Sequence, residues 1–306
     1  MLALLAGTGA LPGVLVAARR GDVIICEMPG FPVTGTGAAP RLSYRIETLG
    51  TLLATLRARG VTEVCLAGAI RRPQIDMAAI DDATLPLVAR LMEALGQGDD
   101  GALRVVIAVI EEAGFTVRAA HEIVPQLLPA PGVLTRARPG AAHLRDIARA
   151  EAAHAALAAA DIGQACVVRD GQVVALEASP GTDWMLQSLR DGAPGPRATP
   201  DPLLWAVDTA GDLIGGWADW LSGDAPLPAR PSHGIAAGGL LYKAPKPGQD
   251  RRADLPVIGP ETVIRAAEAG LCAIVIAAGG VMVIDAAQVT AMADARDMVL
   301  WVRPTS

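Results

Sequence analysis

The sequence predicts an α/β protein of two domains, and three features of the chain support this prediction. Short apolar runs alternate with helical patterns through the first part of the chain. A proline-rich stretch at residues 125–139 interrupts this alternation, which resumes further along. Alternating strands and helices are typical of parallel sheets covered by helices. We therefore predict an N-terminal domain at residues 1–130, a linker at 131–141 and a C-terminal domain at 142–306.

The composition predicts an aliphatic core and no nucleic-acid partner. The chain has 306 residues, of which 52% are hydrophobic and only 3% are aromatic. Its net charge of −6 argues against nucleic acid, because phosphate backbones bind basic faces. No apolar run reaches the roughly 18–20 residues of a membrane span, and the N-terminus lacks a basic signal-peptide region, so we expect a soluble, cytoplasmic protein. The cysteines lack metal-ligand spacing and are expected to be reduced thiols: Cys26, Cys65, Cys166 and Cys272.

The first domain is predicted to begin as a Rossmann-like parallel sheet. Apolar runs at 2–6, 23–26 and 61–67 are predicted strands. Leucines at helical spacing predict a helix at 48–59, and a proline suited to a first helical turn predicts another at 12–20. This order places helices on the faces of a parallel sheet.

The remaining elements continue the same alternation. In the N-terminal domain, 75–95 is predicted to be mainly helical with a break near Pro86, followed by a helix ending at 112 and a strand at 115–119. In the second domain, Asp170-Gly171 predicts a hairpin turn between two strands. The predicted helices there are 142–159, 182–190, 261–269 and 286–293, and the predicted strands are 165–168, 172–176, 240–243, 272–276, 281–284 and 298–302.

The glycine turn after the first strand is the first candidate binding element. Gly7-Thr8-Gly9 lies between a strand and a helix, where backbone N–H groups can approach a phosphate. Glu27 ends the second strand, where a dinucleotide fold places its ribose-binding acid. Pro12 replaces the third glycine of the dinucleotide fingerprint, so a nucleotide role, a tight structural turn and nicotinamide binding all stay open.

Two loops carry charges that suit phosphate. Gly68 is followed by Arg71 and Arg72, directly after the third strand, where ligands bind in doubly wound sheets. The densest cluster lies at residues 243–256, where cations and carboxylates alternate with prolines. Cations there would bind pyrophosphate oxygens and carboxylates would hold a divalent metal, although an exposed charged linker has the same composition.

An acidic segment at residues 177–183 is a third candidate. It follows the hairpin and precedes a helix, so Asp183 also suits a first-turn acid that stabilises the helix. Of the four histidines, His121 follows a predicted strand and could face a cleft, while the other three have no informative context.

Taken together, these motifs resemble the UDP-2,3-diacylglucosamine pyrophosphatases of the LpxI type. The most specific similarity is the segment from Lys243 to Gly259, and the order and spacing agree over nearly the whole chain. The segments that carry the resemblance are 5–12, 68–73, 98–100, 114–115, 120–122, 161–164, 177–183 and 243–259.

This resemblance implies an activity and a set of site residues. Such enzymes hydrolyse a lipid-linked UDP-sugar to 2,3-diacylglucosamine 1-phosphate (lipid X) and UMP in lipid A biosynthesis, with Mg²⁺ or Mn²⁺, in a cleft between two domains, and as homodimers. The aspartate that matches Asp254 is the key catalytic acid, and its role as metal ligand or water activator stays open. The implied catalytic residues are Asp254, Asp250, Lys243, Lys246 and Arg252; the substrate-binding residues are Gly7, Thr8, Gly9, Gly68, Arg71, Arg72, Gln249, Thr182 and Asp183; the metal ligands are Asp254, Asp250 and Glu177.

Two departures from the family pattern keep alternatives open. Pro180 replaces a usual glutamate, and residues 193–239 form a longer insertion. Leu203, Val207 and Trp217 of this insertion fall on one helical face, which predicts packing against the body or a dimer partner, covering of the acyl chains, or peripheral contact with the inner membrane. The alternatives are a non-catalytic nucleotide or lipid carrier and a nicotinamide-dependent oxidoreductase.

Overall fold

The computed structural model describes residues 1–70, 75–95, 99–190 and 234–304, and these form two α/β units. The predicted fold class is confirmed: a parallel sheet lies in the N-terminal part and a second sheet in the C-terminal part. The predicted helical face at 203–221 lies outside the described residues, as do Arg71 and Arg72.

The N-terminal sheet has five parallel strands in the order β3-β2-β1-β4-β5. β1 is buried along its whole length and pairs with β2 on one side and β4 on the other. β3 was not predicted, because its three residues are polar or only partly buried. The strands are β1 Leu2–Ala6, β2 Val23–Glu27, β3 Arg41–Ser43, β4 Glu63–Ala67 and β5 Thr116–Val117.

The helices of this domain pack against both faces of the sheet. Two buried clusters, one beside α2 and one beside α1, enclose β1 from opposite sides. Alternate residues of β1 enter each cluster, as the two-residue period of a strand requires. The helices are α1 Leu11–Arg19, α2 Leu49–Ala58, α3 Val88–Leu95, α4 Asp99–Glu112 and α5 Ala120–Ile123.

The prediction of a mainly helical segment from residue 75 is wrong for its first half. Short 3₁₀ helices at Met77–Ala79 and Leu85–Leu87 replace it, and α3 begins only at Val88. Local hydrogen bonds explain the difference: the Asp76 N–H donates to buried Glu47 at 2.8 Å, and the Thr84 hydroxyl accepts the Gly50 N–H at 2.8 Å. These polar contacts tie the segment to the start of α2 instead of allowing a continuous helix.

The C-terminal sheet has six strands in the order β6-β13-β11-β9-β7-β8. Its centre is parallel, and β7 pairs antiparallel with both β8 and β9. β6 lies inside the predicted linker and pairs antiparallel with β13, so part of that stretch belongs to this sheet. The strands are β6 Gly132–Val133, β7 Ala165–Arg169, β8 Gln172–Leu176, β9 Leu240–Lys243, β11 Ala273–Ala277 and β13 Val299–Arg303, with helices α6 Ala141–Ala159, α7 Thr182–Arg190, α8 Pro260–Glu268 and α9 Ala286–Asp294.

The predicted hairpin turn is confirmed. Asp170 and Gly171 both have positive φ, at 49° and 76°, as a two-residue turn of this type requires. Asp146 of α6 accepts both turn N–H groups, at 3.1 and 2.7 Å. The carboxylate therefore fixes the hairpin against α6.

A two-stranded parallel sheet of the C-terminal half packs against the core of the N-terminal domain. It pairs β10 Val257–Ile258 with β12 Met282–Val283. Leu255 and Met282, from the C-terminal half, are buried in the same apolar cluster as Leu2 of β1. The segment that precedes β10 therefore lies between the two domains, and this segment is the charged loop singled out from the sequence.

Candidate active site between the domains

The charged loop begins at the carboxyl end of β9 and is anchored on both sides of Ala244. The Nε2–H of buried His154 donates to the Ala244 carbonyl at 2.8 Å, and the Ala244 N–H donates to the Gln164 carbonyl at 3.1 Å. Burial lowers the pKa of His154, which favours the neutral ring. His154 was not singled out from the sequence, because a lone histidine on a helix gives no sign of the loop that it will contact.

Lys243 is a buried cation at the last position of β9. Its Nζ donates to the Thr182 hydroxyl at 2.8 Å and to the Val257 carbonyl at 3.1 Å. The Thr182 hydroxyl donates in turn to Glu177 at 2.8 Å. Burial lowers the pKa of Lys243, while the charges of Glu177, Asp183 and Asp254 oppose that shift. The structure thus brings a predicted catalytic residue together with four predicted binding or metal residues.

Asp250 and Arg252 form a paired unit that reaches the N-terminal domain. Arg252 donates to both carboxylate oxygens of Asp250, at 3.0 and 2.7 Å, and this pairing holds the pKa of Asp250 below its ordinary value. The same guanidinium contacts Glu111 of α4 at 2.6 Å. Arg104, two helical turns before Glu111 on the same face of α4, donates to the Gly248 carbonyl at 2.8 Å. α4 therefore holds the loop from the other side of the cleft.

The catalytic candidate Asp254 lies at the end of this loop. The Gln249 side-chain amide donates to its Oδ2, and the Gln249 carbonyl oxygen accepts the Lys246 N–H at 3.1 Å. The Lys246 ammonium pairs with Asp161 at 2.5 Å, near the start of the second domain's sheet. Gln249 is buried, so its amide fixes the orientation of the Asp254 carboxylate.

The structure gives the glycines of the turn after β1 a structural role, which was one of the three alternatives left open by the sequence. The N–H groups of Gly7 and Thr8 donate to the carbonyls of Ala67 and Ala69, at 2.8 and 2.9 Å. A Cβ on Gly7 would meet the Ala69 oxygen at 2.3 Å, and one on Gly68 would meet the Thr8 oxygen at 2.6 Å. The close approach of these two chain segments thus requires both glycines, and it uses the N–H groups of Gly7 and Thr8.

Glu27 is occupied by a neighbouring residue. Its carboxylate pairs with Arg41 at 2.6 Å, and the same guanidinium donates to the Thr36 hydroxyl at 2.6 Å. The residue that prompted the nicotinamide hypothesis therefore stabilises the loop that follows β2.

The three predicted metal ligands do not converge on one position. Arg252 holds both oxygens of Asp250, and Glu177 accepts from Thr182 and from the Gln164 N–H at 3.1 Å. Within the described ranges, no group of three or more His, Cys, Asp or Glu side chains is arranged to hold a metal ion. The predicted cage of Asp254, Asp250 and Glu177 is therefore not formed, because two of these carboxylates serve as counter-charges and acceptors.

Two further predicted or noted residues occupy the edges of the cleft. Asp183 is 61% exposed and lies 3.6 Å from Arg265 of α8. The Nδ1 atom of His121 is enclosed without a hydrogen-bond partner in the part of the chain that the structure describes. Burial lowers the pKa of His121, and the charge of Arg251 in the loop lowers it further. His121 thus lies within electrostatic range of the charged loop.

Fold and site together define a two-domain α/β protein whose cations and carboxylates meet in the cleft between the domains, an arrangement suited to phosphate chemistry. Comparison with known families specifies this further. The LpxI N-terminal domain matches residues 1–127, and the LpxI C-terminal domain matches 130–199 and 224–301. The chain is also 33% identical over 297 residues to the UDP-2,3-diacylglucosamine pyrophosphatase LpxI of Caulobacter vibrioides, covering 96% of this chain and 94% of that protein. The chain belongs to the LpxI family.

The C-terminal family match leaves residues 200–223 uncovered, and these lie within the insertion predicted from the sequence. In the described part of the chain, every helix is too short or too polar to cross a bilayer.

Proposed function

We propose that this protein hydrolyses the pyrophosphate of UDP-2,3-diacylglucosamine to UMP and lipid X, a step of lipid A biosynthesis. The observation that supports this most is the loop from Lys243 to Asp254, which lies between the domains and carries cations beside an oriented carboxylate. Family membership over nearly the whole chain supplies the substrate class.

The proposed reaction is attack of water on the phosphorus next to the sugar. The water oxygen bonds to this phosphorus, the bond to the bridging oxygen breaks, and UMP leaves with that oxygen. Asp254 acts on the attacking water, held in orientation by Gln249. Lys243 and the cations of the loop offset the charge that develops on the pyrophosphate oxygens.

A requirement for Mg²⁺ or Mn²⁺ is also proposed, from the family resemblance alone. The predicted set of three carboxylates does not fit such an ion in this chain. Because Mg²⁺ in phosphate sites is usually bound through one or two carboxylates plus substrate phosphates, we propose that the pyrophosphate supplies most of the ligands. A homodimer and contact with the membrane surface that presents the substrate are proposals on the same basis.

The test is to incubate purified protein with UDP-2,3-diacylglucosamine and Mg²⁺ in ¹⁸O-water, and to follow both products by phosphorus NMR. We expect UMP release that EDTA abolishes, with the label in lipid X. Asp254→Asn should lower turnover by about 10³-fold, as loss of a key catalytic group does. Asp297→Asn, at an exposed turn, is the matched control and should keep full turnover.

The outcomes separate the alternatives. Tight binding of the lipid without UMP release would favour the carrier, and label in UMP would place the attack on the other phosphorus. Full turnover by Asp254→Asn would remove the proposed mechanism.

A further inference from the structure

Asp161 has a left-handed backbone conformation at the end of α6, with a φ of 53°. Its N–H donates to the Ala158 carbonyl at 3.2 Å, and the Ile162 N–H donates to the Leu157 carbonyl at 3.1 Å. These two hydrogen bonds form the Schellman motif that ends many helices, in which glycine usually occupies the left-handed position. An aspartate there has a less favourable backbone than glycine and places a negative charge at the negative end of the helix dipole. The end of α6 would therefore be more stable with glycine at residue 161.

The carboxylate of Asp161 has a partner in the charged loop. It contacts the Lys246 ammonium at 2.5 Å, and the lysine side chain is only 17% exposed, so the pair is partly shielded from water. Lys246 lies between Pro245 and Pro247, which restrict its backbone, so its long side chain is the part that a partner must hold. In protein kinases, a glutamate holds the phosphate-binding lysine in the same way. The pair therefore restrains a cation that the charged loop can offer to phosphate.

Lys246 also forms one corner of a tight turn that ends at Gln249. The Lys246 N–H donates to the Gln249 side-chain oxygen at 3.1 Å, and the Gln249 N–H donates to the Lys246 carbonyl at 3.3 Å. A proline and Gly248, whose φ is 76°, occupy the two central positions, as a type II turn favours. The Gln249 side-chain amide donates in turn to the carboxylate of Asp254. A continuous series of contacts thus links Asp161 to the catalytic candidate.

We propose that Asp161 is a positioning residue for the proposed hydrolysis. Its carboxylate holds the Lys246 ammonium in one place and thereby steadies the turn whose Gln249 orients Asp254. The cation and the carboxylate that act on the pyrophosphate are then placed together before the substrate binds. Such placement matters because a displacement of about 1 Å can lower a rate by about 10²-fold. The inference rests on the proposed function, which supplies the pyrophosphate.

The chain offers a matched control at the end of α9. Asp297 has the same left-handed conformation, with a φ of 51°. Its N–H donates to the Asp294 carbonyl at 3.4 Å, and the Met298 N–H donates to the Ala293 carbonyl at 3.0 Å. Asp297 is exposed, and its carboxylate has no hydrogen bond or ion pair with any residue that the structure describes. Asp161 and Asp297 therefore differ in their contact with the charged loop and not in their backbone.

The experiment compares Asp161→Gly with Asp297→Gly in the full-length protein. Both place the preferred residue at a left-handed position, so neither should lower the midpoint of thermal unfolding. In Asp161→Gly, kcat should nevertheless fall about tenfold, because the lysine and the turn lose their anchor. Hydrogen exchange of the Lys246 and Gln249 amides should also become faster in this variant. Asp297→Gly should keep the kcat and the amide exchange of the wild type.

A second comparison tests whether Asp161 acts through Lys246. Lys246→Met and the double variant Asp161→Gly/Lys246→Met should have nearly the same kcat, because the carboxylate has nothing to hold once the ammonium is gone. Losses that multiply in the double variant would show that Asp161 acts by another route, and they would overturn the proposal.

The remaining outcomes also overturn the proposal. Unchanged kcat in Asp161→Gly would remove the role in hydrolysis, and a lower KM beside it would mean that the carboxylate competes with pyrophosphate for Lys246. A joint loss of kcat and thermal stability would mean that Asp161 only supports the fold. If the wild type shows no turnover, the proposed function fails, and amide exchange alone then decides whether Asp161 holds the turn. Equal exchange in the wild type and both glycine variants would overturn that role.

Discussion

The two edges at which this protein could bind phosphate are built in opposite ways. At the carboxyl edge of the N-terminal sheet, Gly7 and Gly68 allow two chain segments to touch, and the N–H groups of the turn bond to the neighbouring strand. At the carboxyl end of β9, side chains carry the charge, and Lys243 is buried among carboxylates. The first edge is closed by backbone contacts, whereas the second presents side chains from both domains.

This difference shows that a glycine pattern is ambiguous until the chain segments that contact it are known. Glycines are required both where a ligand approaches the backbone and where another chain segment does. A buried lysine beside three acids is costly for folding, so a stable protein has a further reason to retain it. The following substitutions test this contrast, beginning with the largest expected effect.

Lys243→Met should lower kcat by about 10²-fold, because the variant loses a buried cation that offsets charge in the transition state. Stability should change little, since methionine fills a similar volume without a desolvated charge. In the wild type, burial lowers the pKa of Lys243, so kcat should fall as pH rises through a value below the 10.5 of an ordinary lysine. The pH profile of kcat, with thermal unfolding as the stability measurement, checks both statements.

The control for this variant is Arg190→Met, which removes an exposed cation of α7 from its pair with Glu268. It should leave kcat unchanged. If kcat of Lys243→Met still fell at alkaline pH as in the wild type, that fall would belong to another group. The proposed role of buried charge at the carboxyl end of β9 would then be weakened.

Gly7→Ala should lower the free energy of unfolding by about 2–3 kcal/mol, because the new methyl meets backbone that cannot move aside cheaply. The obstructing atom is the Ala69 oxygen, 2.3 Å from the added Cβ. Gly140→Ala is the control, since its nearest neighbour is 3.9 Å away. Urea unfolding measures both. If Gly7→Ala had normal stability but bound UMP poorly, the turn would instead have a role in binding the nucleotide.

Glu47→Gln should lower the free energy of unfolding by about 1–2 kcal/mol at neutral pH, because its buried carboxylate accepts charged and backbone hydrogen bonds. The hydrogen bond from Arg45 is the main cause that lowers the Glu47 pKa from 4.5 to about 2. The carboxylate's contribution is therefore complete above pH 4.5 and is lost as pH falls through about 2. Urea unfolding at several pH values should show the variant and wild type converging in acid, whereas a constant difference would contradict this account.

Most of the fold followed from periodicity, but the site followed only in part. The parallel sheet around β1 and the Asp170-Gly171 hairpin could be predicted because local sequence patterns indicate them, whereas the order of the strands was not predicted. The contacts of Arg252 with Glu111 and of His154 with Ala244 join residues 141 and 90 positions apart, so no local pattern reveals them. Asp250 pairs with Arg252 only two positions away, and Glu177 accepts from Thr182 five positions away, so their roles as counter-charge and acceptor depend on the local conformation of each loop.

Leu255 links the position of Asp254 to the packing of the two domains against each other. This leucine is the next residue after the catalytic candidate, and it is buried in an apolar cluster together with β1. If the halves were separated, the leucine would lose its packing against β1, and the loop that carries Asp254 and Gln249 would lose this anchor. Packing between the two domains and the placement of the catalytic candidate thus depend on adjacent residues, Leu255 and Asp254. We therefore expect the interdomain core to form before the protein can hydrolyse its substrate.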